Sequence, residues 1–295
     1  MNLFTRSTIL AVTMLLGLMF VTLSAVYAND VQPTWQVNGF DQPESVVAGP
    51  KGLFLYVSNI NGQPAEENGK GYISKLTIDG KVVKQHWITG MNAPKGMKVF
   101  KGSLFVADMQ QLHVIDLASE RLVKTYYSDD AKMLNDIAID GEGTLFLTDL
   151  LGGGIYQLKH ERIEPWFHHN KLPHSNGILW HQGKLIIANW GEGMNDDFST
   201  QVLGSLYELD LQTKKLSTVK HAAEIGNLDG IFAMGDSLFV SDWVTGDIFK
   251  ITPSERKRVL KLNQGVADIG GESQWLYTPM MMNGQIMVWN TNTFN

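Results

Sequence analysis

Asn227-Leu228-Asp229-Gly230-Ile231-Phe232, then Gly235-Asp236-Ser237, then Leu238-Phe239-Val240-Ser241-Asp242-Trp243 is the stretch that decides the fold. Two apolar runs flanking a Gly-containing turn read as strand, tight turn, strand. The same phrase recurs along the chain. Leu134-Asn135-Asp136-Ile137 leads through Gly141-Glu142-Gly143 to Leu145-Phe146-Leu147-Thr148-Asp149. Ser175-Asn176-Gly177-Ile178 leads to Leu185-Ile186-Ile187-Ala188-Asn189, and Pro94-Lys95-Gly96-Met97 to Leu104-Phe105-Val106-Ala107-Asp108. Pro43-Glu44-Ser45-Val46 leads to Leu55-Tyr56-Val57-Ser58-Asn59, and the faintest copy is Ala267-Asp268-Ile269 with Trp275-Leu276-Tyr277-Thr278.

The six phrases place Glu44, Lys95, Asn135, Asn176, Asp229 and Asp268 in register, separated by 51, 40, 41, 53 and 39 residues. A period near 40 with several short strands per repeat is the signature of a β-propeller. The expected fold is all-β: one six-bladed propeller with four-stranded blades over residues 29–295, preceded by a signal peptide over 1–28. The innermost strands then line a central channel, and the six polar residues form one ring at its mouth. Two long insertions, Asn61–Gly71 and Gly191–Gly204, read as surface loops, the second on the side of the ring. Thr34-Trp35-Gln36-Val37 is a short strand ahead of the first blade, placed to complete the last one and remove an open sheet edge.

The leader has a short basic start at Arg6, an apolar run from Ile9 to about Leu23, and Val26-Tyr27-Ala28 with the smaller Val26 and Ala28 at the expected cleavage positions. This is the pattern of a secretory signal peptide cleaved after Ala28, and the expected destination is the periplasm or the outside of the cell. The formal charge is −6, or −7 once Arg6 is removed. With no basic patch, nucleic acid is an unsuitable partner, and no other run is long enough to cross a membrane. The chain has no cysteine, which excludes disulfides, thiol catalysis and thiolate metal sites. Asp108, Asp149 and Asp242 recur at strand ends, where a carboxylate satisfies turn N–H groups. Gly152-Gly153-Gly154 is not a phosphate loop, because no Lys-Ser/Thr follows it.

Pro43-Glu44-Ser45, Leu134-Asn135-Asp136, Ser175-Asn176-Gly177-Ile178 and Leu228-Asp229-Gly230, in that order at blade spacing, resemble the family of senescence marker protein, gluconolactonase and related six-bladed propellers, and more distantly the paraoxonases. That resemblance implies one divalent metal in the channel mouth, Ca²⁺ foremost with Zn²⁺ or Mn²⁺ as alternatives. Glu44, Asn176 and Asp229 are its implied ligands. Asn135 lies beside it or binds substrate, Asp229 doubles as catalytic base, and the implied reaction is hydrolysis of a lactone. The residue chemistry agrees: carboxylates with neutral amide oxygens suit a hard cation.

Three features depart from the family pattern. Met133 stands where the family often places a substrate-gripping arginine. Val46 and Val47 stand where a tryptophan is expected. Lys95 brings an ammonium onto the ring, where it is expected to contact substrate or to pair with Glu44 or Asp268. His174, the histidine nearest the mouth, is a candidate proton shuttle on substrate; His168 and His169 read as surface residues. A second function stays open at this point: a non-catalytic propeller that binds a small ligand or a protein partner.

Overall fold

The computed structural model describes residues 31–195 and 197–294, so the expected leader over 1–28 lies outside the described residues. Six four-stranded antiparallel sheets form the blades of a propeller. Blade one is Pro43–Ala48, Phe54–Asn59, Gly71–Thr77 and Val82–Met91; blade two is Pro94–Phe100, Ser103–Asp108, Gln111–Asp116 and Arg121–Tyr127. Blade three is Leu134–Ile139, Leu145–Asp149, Ile155–Lys159 and Arg162–Phe167; blade four is Ser175–His181, Lys184–Asn189, Leu206–Asp210 and Leu216–Thr218. Blade five is Leu228–Met234, Ser237–Asp242, Asp247–Ile251 and Arg256–Lys261.

Blade six is built from both ends of the described chain. Gly270–Glu272, Trp275–Met280 and Gln285–Asn290 are joined by the N-terminal strand Trp35–Asn38, which pairs with Gln285–Asn290. The expected closure is thus realised, and the edge that Gln285–Asn290 would present is covered. The ring closes again at the inner strands, where the Asp268 N–H donates to the Glu44 carbonyl at 2.9 Å and Ser45 bridges Asp268 in parallel.

The core lies between the sheets. Alternate residues of each strand face the neighbouring blade, so Ile137, Leu147 and Tyr156 of blade three pack with Ala107 and Leu112 of blade two. At a strand's closest approach to the next blade there is no room for a side chain. A Cβ on Gly177 would lie 2.0 Å from the Asp229 carbonyl oxygen, and one on Gly230 would lie 2.1 Å from the Ile269 nitrogen. The glycine after Asn176 and after Asp229 is therefore a packing requirement.

The second insertion is more ordered than a loop: Gly191–Met194 and Thr200–Leu203 form a two-stranded hairpin.

Candidate functional site at the channel mouth

Each of the first five innermost strands carries the same irregularity. Pairing slips between Pro43 and Val46, Pro94 and Met97, Leu134 and Ile137, Ser175 and Ile178, and Leu228 and Ile231. Two residues on the inner strand oppose one on its partner, which is a β-bulge. Glu44, Lys95, Asn135, Asn176 and Asp229 are the first bulged residue in all five. The bulge breaks the strict in–out alternation of a strand and turns each side chain toward the channel. In three blades a hydroxyl on the facing strand accepts the N–H that the bulge frees. Ser58 takes Ser45 N–H at 2.9 Å, Thr148 takes Asp136 N–H at 3.0 Å and Ser241 takes Gly230 N–H at 3.0 Å. Ser241 also donates to the Ala267 carbonyl at 2.8 Å, and Thr148 to the Asn176 carbonyl, tying each bulge to the next blade.

Asp268 departs from the expected single ring. Val266 bridges Met280 as Leu228 pairs with Asp242, so Ala267 occupies the ring position and Asp268 stands one residue deeper. There it shares a small cavity of about 90 Å³ with Ser45, Lys98 and Asp136, below the mouth. The Ser45 hydroxyl donates to Asp268, while Asp136 accepts Ile137 N–H at 2.6 Å and Ile178 N–H at 2.8 Å. The faint sixth phrase has too little pattern to fix a one-residue register.

Glu44, Lys95, Asn135, Asn176 and Asp229 are all buried and all line one cavity of about 440 Å³. Glu44 Oε2, Asn135 Oδ1, Asn176 Oδ1 and Asp229 Oδ1 have no hydrogen-bond partner, and they make up four of the six such buried side-chain atoms among the described residues. Buried polar oxygens are ordinarily satisfied, so this concentration at one cavity floor marks a site built to receive something positive or hydrogen-bonding. No group of three His, Cys, Asp or Glu among the described residues is placed to hold a metal. The floor instead offers two carboxylates and two amide oxygens, a donor set that fits a hard cation such as Ca²⁺.

Electrostatics point the same way. Burial, then the carboxylates of Asp229 and Asp268, raise the Glu44 carboxyl well above its ordinary range. Burial and then Asp136 do the same to Asp229. A bound cation would relieve both.

Lys95 does not pair with Glu44 or Asp268. Its ammonium donates to the Ala93 carbonyl at 2.8 Å and lies 3.7 Å from Met109 Sδ, and burial pushes its pKa down to about 8. His174 Nδ1 lies 3.0 Å from the Leu150 carbonyl, and His174 is not among the residues lining the cavity. His168 sits edge-on to Tyr156, and the His169 ring stacks on Phe167.

The strand-end carboxylates are structural, as expected. Asp149 accepts N–H groups of Lys132, Met133, Leu151 and Gly152, and Asp242 those of Asn227, Val244 and Thr245.

One set of site residues was not foreseen from the sequence. The residue after each second strand is Ile60, Met109, Leu150, Trp190, Trp243 or Met281, apolar in all six blades. All six belong to one apolar cluster above the polar floor, and all but Met109 line the cavity. The signal was present in the repeats, one position beyond Asn59, Asp108, Asp149, Asn189 and Asp242. The insertions supply the rim: Gly62, Gln63 and Pro64 from the first, Asp197 and Phe198 from the second.

No protein-family model matches the chain, and no curated protein matches it. Many solved structures share the fold. Virginiamycin B lyase from Staphylococcus aureus aligns with a TM-score of 0.59 at 12% identity, covering 86% of this chain and 98% of that one. Its catalytically inactive variant with quinupristin aligns at 0.57 and 13% identity, with the same coverage. A chain of a nidogen–laminin complex aligns at 0.62 and 16% identity, covering 78% of this chain and 89% of that one. At these identities the likeness establishes the six-bladed propeller and nothing finer.

Proposed function

We propose that this chain is a hydrolase of the lactonase type, opening a lactone or related ester ring at a divalent cation in the channel mouth, Ca²⁺ foremost. The observation that carries this reading is the set of four buried, unpartnered oxygens from four blades at the base of one cavity. The resemblance of these residues to the gluconolactonase family supports it. Glu44, Asn176 and Asp229 would hold the cation, with Asn135 beside it. When bound, the cation supplies Lewis acidity at the carbonyl oxygen of the substrate.

The chain's own residues supply the remainder. Asp229 takes the proton of the attacking water, and burial beside Asp136 makes it, once ionised, a stronger base than an exposed carboxylate. The Asn135 amide orients the substrate ring, and Lys95 fixes a positive charge at the floor. The secretory-type leader read from the sequence supports the periplasm or the outside of the cell as the place of this activity. That a lyase shares the fold shows only that the architecture can host catalysis.

The test is a panel of simple γ- and δ-lactones and esters, run with and without Ca²⁺, Mn²⁺ and Zn²⁺. Asp229→Asn keeps size and one carbonyl oxygen but loses charge and basicity, so hydrolysis is expected to fall about 10²–10⁴-fold. If the wild type opens no ring with any metal, or Asp229→Asn keeps full activity, the enzyme reading fails. The buried ammonium of Lys95 on the ring favours the second reading, a propeller that binds a small ligand or protein partner without turnover, and that reading then takes its place.

A further inference from the structure

The proposed lactonase site has a floor and a wall of opposite character. Above the buried polar floor, the wall is made by Ile60, Leu150, Trp190, Trp243 and Met281, one from each of five blades, and Phe198 leans over it from the hairpin. Trp190 and Trp243 lie 5.9 Å apart between ring centroids, and Phe198 lies 6.3 Å from Trp243. The Trp190 indole N–H is already used, donating to the Phe198 carbonyl at 2.7 Å, so Trp190 offers the cavity only its ring. Met133 lines the same cavity and offers no donor. Two oxygens of the rim are also engaged: Gln42 Oε1 accepts Gly62 N–H at 2.9 Å and Asp197 Oδ1 accepts from Ser199 at 2.6 Å.

A polyhydroxylated ring placed here could pair only the hydroxyls that reach the floor oxygens, and each hydroxyl left against the apolar wall without a partner is strongly disfavoured. An alkyl or aryl substituent would instead gain from leaving water. The cavity, at about 440 Å³, is within the range that encloses a whole small ligand.

We infer that the substrate is a lactone or ester bearing a bulky apolar substituent, its carbonyl at the floor and its substituent against the tryptophan wall, and that sugar lactones are disfavoured. This inference rests on the lactonase reading for the words lactone and ester, and on the wall alone for the apolar substituent.

The experiment separates the two. 2-Alkylcyclopentanones from methyl to hexyl have the ring and carbonyl of the proposed substrate but no ester bond to open. Their affinities are measured by calorimetry on the full chain with Ca²⁺ present. Affinity is expected to rise about fourfold per added methylene while the chain lies on the wall. Trp243→Ala should flatten that rise, and Trp243→Phe should restore most of it. Circular dichroism and urea midpoint confirm that both variants are folded; if Trp243→Ala is not, Phe198→Ala at the rim takes its place.

In parallel, hydrolysis of γ-lactones with methyl to hexyl side chains is compared with that of D-glucono-δ-lactone. Affinity independent of chain length, a slope unaltered by loss of the aromatic, or preferential opening of the sugar lactone would overturn the inference. A steep slope for the ketones with no ring opened would overturn the lactonase reading and leave the apolar specificity standing.

Discussion

Lys95 and Asp136 are the residues where buried charge is most consequential. Lys95 lowers the pKa of Glu44, opposing the burial and the carboxylates of Asp229 and Asp268 that raise it. A bound cation would do the same work at Glu44, so the two positive charges compete. Lys95→Met is therefore expected to tighten Ca²⁺ binding about tenfold, the weight of a single pKa step of interaction, as read by calorimetry. Weaker or unchanged binding would remove this role.

Asp136, facing Lys98, Asp268, Asp229 and Glu44 across the channel, is raised by burial from 3.8 to about 6. Between those values the folded chain holds a proton that the unfolded chain has released. The contribution of this group to stability in chelator is thus fullest below about pH 4 and is lost as pH rises toward 6, on the order of 3 kcal/mol. Urea midpoints across pH 4–6 test this, with Asp136→Asn as the comparison. Its lost hydrogen bond lowers the whole curve, but the downward slope should lessen. A slope identical to wild type would refute the assignment.

At the scale of the strand, the bulge is what makes a site out of a sheet. Five innermost strands share it at one register, and three are buttressed by a hydroxyl on the second strand. Ser241 is fully buried and serves two backbone groups, the Gly230 N–H and the Ala267 carbonyl. Ser241→Ala orphans both and is expected to cost about 1–3 kcal/mol in urea denaturation. Because Asp229 is the neighbouring bulged residue, the same variant should also weaken Ca²⁺ binding, whereas Ser241→Thr should restore both. Loss of stability with Ca²⁺ affinity intact would show that the hydroxyl holds the blade but not the site.

At the scale of the whole molecule, the ring is held shut by the four residues Trp35–Asn38, paired with Gln285–Asn290. Trp35 also lies against Gly80 of blade one, where a Cβ would meet its ring at 2.7 Å. Deleting residues 31–38 leaves the Gln285–Asn290 edge open and blade six with three strands. The expected result is a Tm lowered by at least about 10 °C, at roughly 2–4 °C per kcal/mol for a chain of this size. Light scattering should rise as edges pair between molecules. A deletion variant with unchanged Tm and no scattering would show that closure rests on inner-strand contacts alone.

The repeat of strand, turn and strand fixed six blades, the closing N-terminal strand and the structural role of Asp108, Asp149 and Asp242 from sequence, because each depends on local pattern repeated at a regular spacing. It also brought Glu44, Lys95, Asn135, Asn176 and Asp229 to one register. Other features depended on what lies across the channel from a residue. Asp268 went one layer deeper because a one-residue register in a faint repeat is set by pairing with Ser45. Lys95 turned to the Ala93 carbonyl and Met109 rather than to a carboxylate because its reach is decided by the bulge geometry of its own blade. His174 was taken up by the Leu150 carbonyl. The apolar wall has a signal in the repeats, an apolar residue after each second strand, but that these residues face one cavity was decided only when the fold carried them around one ring.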